Sequence, residues 1–175
     1  MTTTNEEHNK KRIRDHEARI RLFQILCALE SVKGGPLSQA EIESRFEELF
    51  VLPESVPGEP SAPPVPDNAE EDEQDKRVSF EEFRSTCAKA ADVQSLYPEA
   101  DGLIERYSTD WKAARMTLVD RTIIRLALYE ALIVRSVPVS VALSEAVLIA
   151  KEFGGADSAR FVNGVLARIA RAVEQ

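Results

Sequence analysis

Two groups of residues in this chain have types and spacings suited to chemistry, and both suit the holding of anions. Lys10, Lys11, Arg12, Arg14 and Arg19 crowd a short N-terminal stretch, with Arg21 just beyond. Guanidinium forks hold phosphate bidentately, and helical spacing can align several of them along a polyanion backbone. The plainer reading is a solvated basic helix face, because Glu6, Glu7, Asp15 and Glu17 dilute the field. The second group is Ser158 to Gly164, which sets Arg160, Phe161 and Asn163 at the start of a helix. Free N–H groups at a helix start attract an anion. An aromatic ring can stack on an unpaired base, and Asn can read a base edge. Here the plainer reading makes Phe161 a core residue and Asn163 a capping or packing residue.

Nothing comparable points to catalysis. His8 and His16 have no Cys or His neighbour at metal-ligand spacing. Gly154-Gly155 lacks the remaining glycines of a phosphate loop and reads as a helix stop. Glu130 and Glu145 stand in apolar segments. Each could be a buried acid of altered pKa, or, more simply, a partner of Arg125, Arg135 or a backbone group. The expectation is a protein that is not an enzyme and holds no metal or cofactor. Cys27 and Cys87 read as small buried apolar groups rather than a disulfide or a metal pair.

The elements that must position these residues are helices. The chain has 175 residues, enough for one domain, with 43% apolar and 30% charged residues. Aromatics are sparse, so the core must be built from Ala, Leu, Ile and Val, which favours an all-α bundle. Residues 1–9 read as a disordered tail. A helix is predicted from about Arg12 to Glu30, with Ile13, Ile20, Phe23, Leu26 and Cys27 near one stripe. Ser38 and Glu41 form a capping box for a second helix ending near Phe50. Helical pattern returns near Ser79, breaks at Tyr97-Pro98 and resumes in a further helix carrying Ala100, Leu103, Ile104 and Tyr107. Thr117 and Asp120 form another box, opening a helix that is apolar nearly all round as far as Arg135. Such a helix belongs at the centre of a bundle. Two further helices cover Ser140–Phe153 and Asp157 or Ser158 onward, for about seven in all.

The net charge of −8 is unevenly placed. Residues 54–75 hold eight acids and no base; the rest of the chain carries 22 acids and 22 bases. Residues 53–76 also hold six prolines and almost no large apolar groups. Such a composition cannot offset its ordering entropy, and reads as a flexible acidic loop inserted within a single domain 1–175. A solubilising linker is its plain role, and a decoy for the basic arm its sharper one. No run is long and apolar enough to span a bilayer, and the N-terminus is unlike a secretory signal, so a cytoplasmic protein with no membrane attachment is expected.

The C-terminal third carries a resemblance. V-D-R-T-I-I-R-L-A-L-Y-E (Val119–Glu130), V-P-V-S-V-A-L-S-E-A-V-L-I-A-K-E-F-G (Val137–Gly154) and D-S-A-R-F-V-N-G-V-L-A-R-I-A-R (Asp157–Arg171) resemble, in order and spacing, the C-terminal half of the NusB family. Q-I-L-C (Gln24–Cys27) more weakly resembles the family's Q-A-L-Y. The resemblance implies two helical subdomains and a transcription antitermination factor. It implies binding of the boxA element of nascent ribosomal RNA transcripts together with NusE, a small-subunit ribosomal protein, and association with elongating RNA polymerase. From the residue types and spacings above, Lys10, Lys11, Arg12, Arg14, Arg19, Arg160, Phe161 and Asn163 are the candidate RNA-binding residues, and the resemblance places the region of Asp120 and Arg121 near the protein partner, with Asp157 a further candidate there. The alternative is a NusB-like interaction module with weakened RNA binding. The arginine-rich opening of the family's first helix is replaced here by Asp15-His16-Glu17-Ala18-Arg19, with the bases one to two turns earlier. A NusB-like domain of a ribosomal RNA methyltransferase is disfavoured, because the sequence shows no Gly-rich cofactor loop.

Overall fold

A computed structural model describes residues 3–31, 35–50, 79–107 and 112–173. The expected acidic loop, 53–76, lies outside the described residues. Among those described there are seven α-helices and no strand: α1 (Thr3–Glu30), α2 (Gln39–Phe50), α3 (Phe80–Ser95), α4 (Tyr97–Tyr107), α5 (Leu118–Leu128), α6 (Val139–Phe153) and α7 (Ser158–Val173). A 3-10 turn, Ala113–Arg115, precedes α5, and a π turn, Tyr129–Ile133, follows it.

Local chemistry sets most of the boundaries. The Ser38 N–H donates to Glu41 Oε2 at 2.9 Å and the Glu41 N–H returns to Ser38 Oγ at 3.4 Å, which starts α2 as expected. Ser79 and Glu82 form a second complete box at α3. At α5 only half the expected box forms: the Asp120 N–H donates to Thr117 Oγ at 3.1 Å, but the Asp120 side chain turns inward instead of back to Thr117. Gly154 ends α6 in extended backbone, so its missing side chain, and no left-handed turn, is what matters. A Cβ there would stand 2.4 Å from Ser158 Cβ and 2.6 Å from the Ala150 carbonyl oxygen.

Two expectations change. Helix α1 starts at Thr3 rather than Arg12, so residues 3–9 are helical instead of a tail. That stretch contains no Gly or Pro, and Glu6 sits in the first turn, where the helix dipole favours an acid. Helix α5 stops at Leu128, and the chain turns out of the π segment at Arg135, the one non-glycine residue with positive φ (56°) among those described. There the Ser136 N–H donates to the Glu130 carbonyl at 2.8 Å, closing the helix end. A side chain in the left-handed region costs about 1 kcal/mol, which glycine avoids. Arg135→Gly is therefore expected to raise stability by about 1 kcal/mol, read as a higher melting temperature. An unchanged or lower melting temperature would show that the Arg135 side chain stabilises the turn.

One apolar core runs through all seven helices, with Leu26, Ile42, Phe83, Ile104, Ile123, Ile149 and Leu166 fully buried. Each such side chain contributes about 1.5–3 kcal/mol. Helix α5 is central, packing on α1, α4, α6 and α7. Both cysteines are free thiols, Cys87 fully buried, and burial pushes each up to about 11.

Candidate nucleic-acid interface

Cross-helix ion pairs fix how the site elements run. Glu30 meets Arg121 and Arg125, while Arg19 meets Glu130, so α5 is antiparallel to α1. His16 and Arg19 meet Glu145, and the Phe23 ring lies 5.3 Å from that of Phe153, so α6 runs parallel to α1. Helix α7 returns along α6 after the short turn at Gly154. The bundle thus has two ends. One holds the N-terminal half of α1, the exit of α5 and the start of α6. The other holds the C-terminus of α1, the start of α5 and the start of α7.

The basic arm lies at the first end. Lys10, Lys11, Arg12 and Arg14 are all exposed, and every described side chain from Glu6 to Asp15 faces solvent. Burial begins at His16, where α6 comes alongside. Ile13, expected on the buried stripe, is half-exposed because α1 outruns the bundle there. Lys10 and Arg14 share one helix face, Lys11 stands about 100° round, and Arg12 faces away, so the charges ring the helix.

Arg19 does not join that arm. Its side chain is only 11% exposed, and Nε donates to both Glu130 oxygens, at 3.2 and 2.9 Å. Nη1 donates to the Asp15 carbonyl at 3.3 Å. Beside it, His16 Nδ1 lies 2.7 Å from Glu145 Oε2. Glu130 and Glu145 are thus structural partners, as the simpler expectation held, but of Arg19 and His16 rather than Arg125 or Arg135. Arg125 is engaged elsewhere, and Arg135 lies beyond the helix end.

Residues at the second end divide into exposed and buried. Arg160, Asn163 and Asp157 are exposed at the start of α7. Phe161 is half-buried and packs against the core. Ser158 is buried, and its Oγ accepts from the Gly155 N–H at 2.9 Å, holding this turn. Asp120 is 6% exposed, and its Oδ1 has no hydrogen-bond partner among the described residues. Arg121 donates through Nη2 to Glu30 Oε2 at 2.8 Å and through Nη1 to the Met116 carbonyl at 3.3 Å. Asp120 and Arg121 therefore sit inside the bundle end more than on its surface.

Sequence reasoning missed the network that organises this end. Arg125 holds Asp101 bidentately, Nε to Oδ1 at 2.8 Å and Nη2 to Oδ2 at 2.6 Å, and also bonds Glu30 Oε1. Its guanidinium lies 4.1 Å from the centre of the Tyr97 ring. Burial disfavours the Arg125 charge, but Asp101 and Glu30 outweigh it and raise the pKa. Burial pushes the Tyr97 hydroxyl up as well. The only sequence signal was a set of charges at helical positions otherwise apolar, with no indication of pairing.

The two halves of the expected RNA surface are apart. Arg14 precedes Phe23 by nine residues, about 14 Å of helix, and Phe23 marks the level at which α6 ends and α7 begins. Between them Asp15 and Glu17 are exposed and Arg19 is turned in. No continuous basic face runs from Lys10 to Arg21.

Comparison with known proteins places this bundle. The NusB family model matches residues 16–171, so Lys10, Lys11, Arg12 and Arg14 of the arm precede the matched span. Transcription antitermination protein NusB of Symbiobacterium thermophilum is 49% identical over 76 residues, 43% of this chain and 50% of that protein. The same-named protein of Thermotoga sp. is 46% identical over 79 residues, 45% of this chain and 56% of that protein. That of Desulforudis audaxviator is 47% identical over 98 residues, 56% of this chain and 71% of that protein. The matched stretches span about half the length of the first two relatives. A solved structure of T. maritima NusB superposes with a TM-score of 0.60 at 27% identity, covering 89% of each chain. With the family's pattern running through almost all of the described bundle, the chain belongs to the NusB family of transcription antitermination proteins.

Proposed function

We propose that this protein binds boxA-type single-stranded RNA of nascent ribosomal RNA transcripts together with NusE, and in that form associates with elongating RNA polymerase. The observation that carries the RNA reading is the projecting N-terminal part of α1, where Lys10, Lys11, Arg12 and Arg14 are all exposed. A cation ring on a helix clear of the bundle can neutralise several phosphates. Arg160 and Asn163 at the start of α7 add a second, separate point of contact.

The second reading, an interaction module with weakened RNA binding, is favoured by one observation: Arg19 is spent on Glu130. The arm's four exposed bases together with Arg160 give a single-strand salt slope of about −4 at most, which means modest affinity for the chain alone. The test is a titration of labelled boxA-type RNA with wild type and with the Arg12→Glu/Arg14→Glu double variant. The expected result is an affinity loss on the order of tenfold or more and a flatter salt dependence for the variant. Equal affinity and equal slope would select the interaction-module reading.

A further inference from the structure

The arm and the start of α7 lie at opposite ends of the bundle, and Asp15, Glu17 and a turned-in Arg19 stand on the direct line between them along α1. Helix α7 offers another line. It returns along α6, so it starts at the second end and finishes level with the first turn of α6, at the arm end. From Ser158 to Val173 its sequence holds Arg160, Arg168 and Arg171 and no acid; Asp157 and Glu174 flank it. Arg160, Gly164, Ala167 and Arg171 fall within about 60° of one another round the helix. Arg160, Gly164 and Arg171 are exposed, Ala167 is half-buried, and the exposed Asn163 stands beside the row. Eleven residues, about 16 Å of helix, separate the two arginines.

Gly164 is the odd member of the row. A glycine in mid-helix weakens the helix relative to alanine. Nothing within the described chain asks for it, because a Cβ there would meet no atom within 4 Å and the backbone is regular helix. Glycine at such a place suits a ligand that comes close to the backbone. Arg171 Nε donates to the Ala167 carbonyl at 3.0 Å, which lays the guanidinium back toward Gly164. Among the described residues its two Nη groups have no partner. The large apolar side chain that α7 exposes is Val173, beyond the row, so a protein would find no apolar anchor between the arginines. A phosphodiester chain needs none, and guanidinium forks at both ends of a bare floor suit it. Glu99 and Glu105 on α4 and Glu152 on α6 are exposed on the neighbouring helices, off this row.

We infer that bound RNA runs along α7, from Arg160 and Asn163 over Gly164 and Ala167 to Arg171, and then across the first turn of α6 to the arm. That turn holds no acid and exposes Ser140 and Val141. On its far side stands Arg12, on the α1 face of His16 and Arg19 that meets α6. The path rests on the RNA reading given above and joins two contact points that are otherwise apart.

Labelled boxA-type RNA is titrated with the full chain at two salt concentrations, for wild type, Arg171→Ala, Gly164→Leu and, as a control on another helix, Arg45→Ala. Arg171→Ala is expected to weaken binding several-fold and to flatten the salt slope by about 0.7, the share of one phosphate contact. Gly164→Leu should weaken binding on the order of tenfold, yet raise the melting temperature, since leucine favours helix and has open space there. Weaker binding by a more stable protein cannot come from misfolding. Arg45, exposed on α2, should be replaceable by alanine with affinity and slope unchanged. Wild-type binding by both Arg171→Ala and Gly164→Leu, beside a loss in Arg12→Glu/Arg14→Glu, would overturn the path and leave the RNA reading standing. An affinity loss in Arg171→Ala at unchanged slope would also overturn it, since no phosphate contact would have been removed. A wild type that binds no RNA would sink the RNA reading and the path with it.

Discussion

Arg125→Ala is expected to lower stability by about 3–5 kcal/mol, the largest single effect at any charged position. The side chain is 12% exposed and serves three partners at once: Asp101 through two bonds, Glu30 through a third, and the Tyr97 face through cation–π contact. Truncation leaves Glu30, itself 8% exposed, with Arg121 as its one remaining ion-pair partner among the described residues. The cost comes from carboxylates left in a poorly solvated place more than from the attraction lost. Asp101→Asn should cost much less, because Asp101 is 29% exposed and water can replace part of what Arg125 supplied. A denaturant titration of both variants measures this. An Arg125→Ala loss below about 1 kcal/mol, the range of exposed ion pairs, would show that the network is solvated in solution.

Arg19→Ala carries the second large effect, about 3 kcal/mol of stability with little change in RNA affinity for the protein that remains folded. The two readouts separate the roles this residue could have. As a phosphate contact it would lower RNA affinity and the salt slope while sparing the fold. As the partner of Glu130 it does the reverse, because its Nε bonds both carboxylate oxygens and its loss strands an acid that is 16% exposed. Unchanged stability with weakened RNA binding would return Arg19 to the RNA surface.

The sequence made the helices legible and the pairings illegible, for the same physical reason. Periodicity and capping motifs report where a helix lies and which face is apolar, and so α2, α5, α6 and α7 were legible near their observed bounds, with Ile42, Ile123, Ile149 and Val165 buried in them. It does not report which helix lies opposite. Arg19 looked like the last member of a basic run because its partner stands 111 residues away. Glu130 and Glu145 were legible as structural acids from their apolar surroundings, but not Arg19 and His16 as their partners. Ile13 falls on the correct stripe and is half-exposed all the same, since a stripe cannot show where its neighbours stop. At Thr117 the capping motif was sound for one bond only, because Asp120 is drawn inward at the bundle end. The α7 opening was recognised through Arg160, Phe161 and Asn163, and the fold sets Phe161 partly into the core.

The central claim is that the arm and NusE together make one RNA-binding surface. It is tested most directly by titrating labelled boxA-type RNA with this protein alone and with equimolar NusE, each at two salt concentrations. The chain alone is expected to bind weakly, with a slope of about −4 or shallower from the arm's four exposed bases and Arg160. With NusE the affinity should rise at least tenfold and the slope steepen, as more phosphates are neutralised at once. An affinity and slope unchanged by NusE, or no binding in either case, would contradict the account.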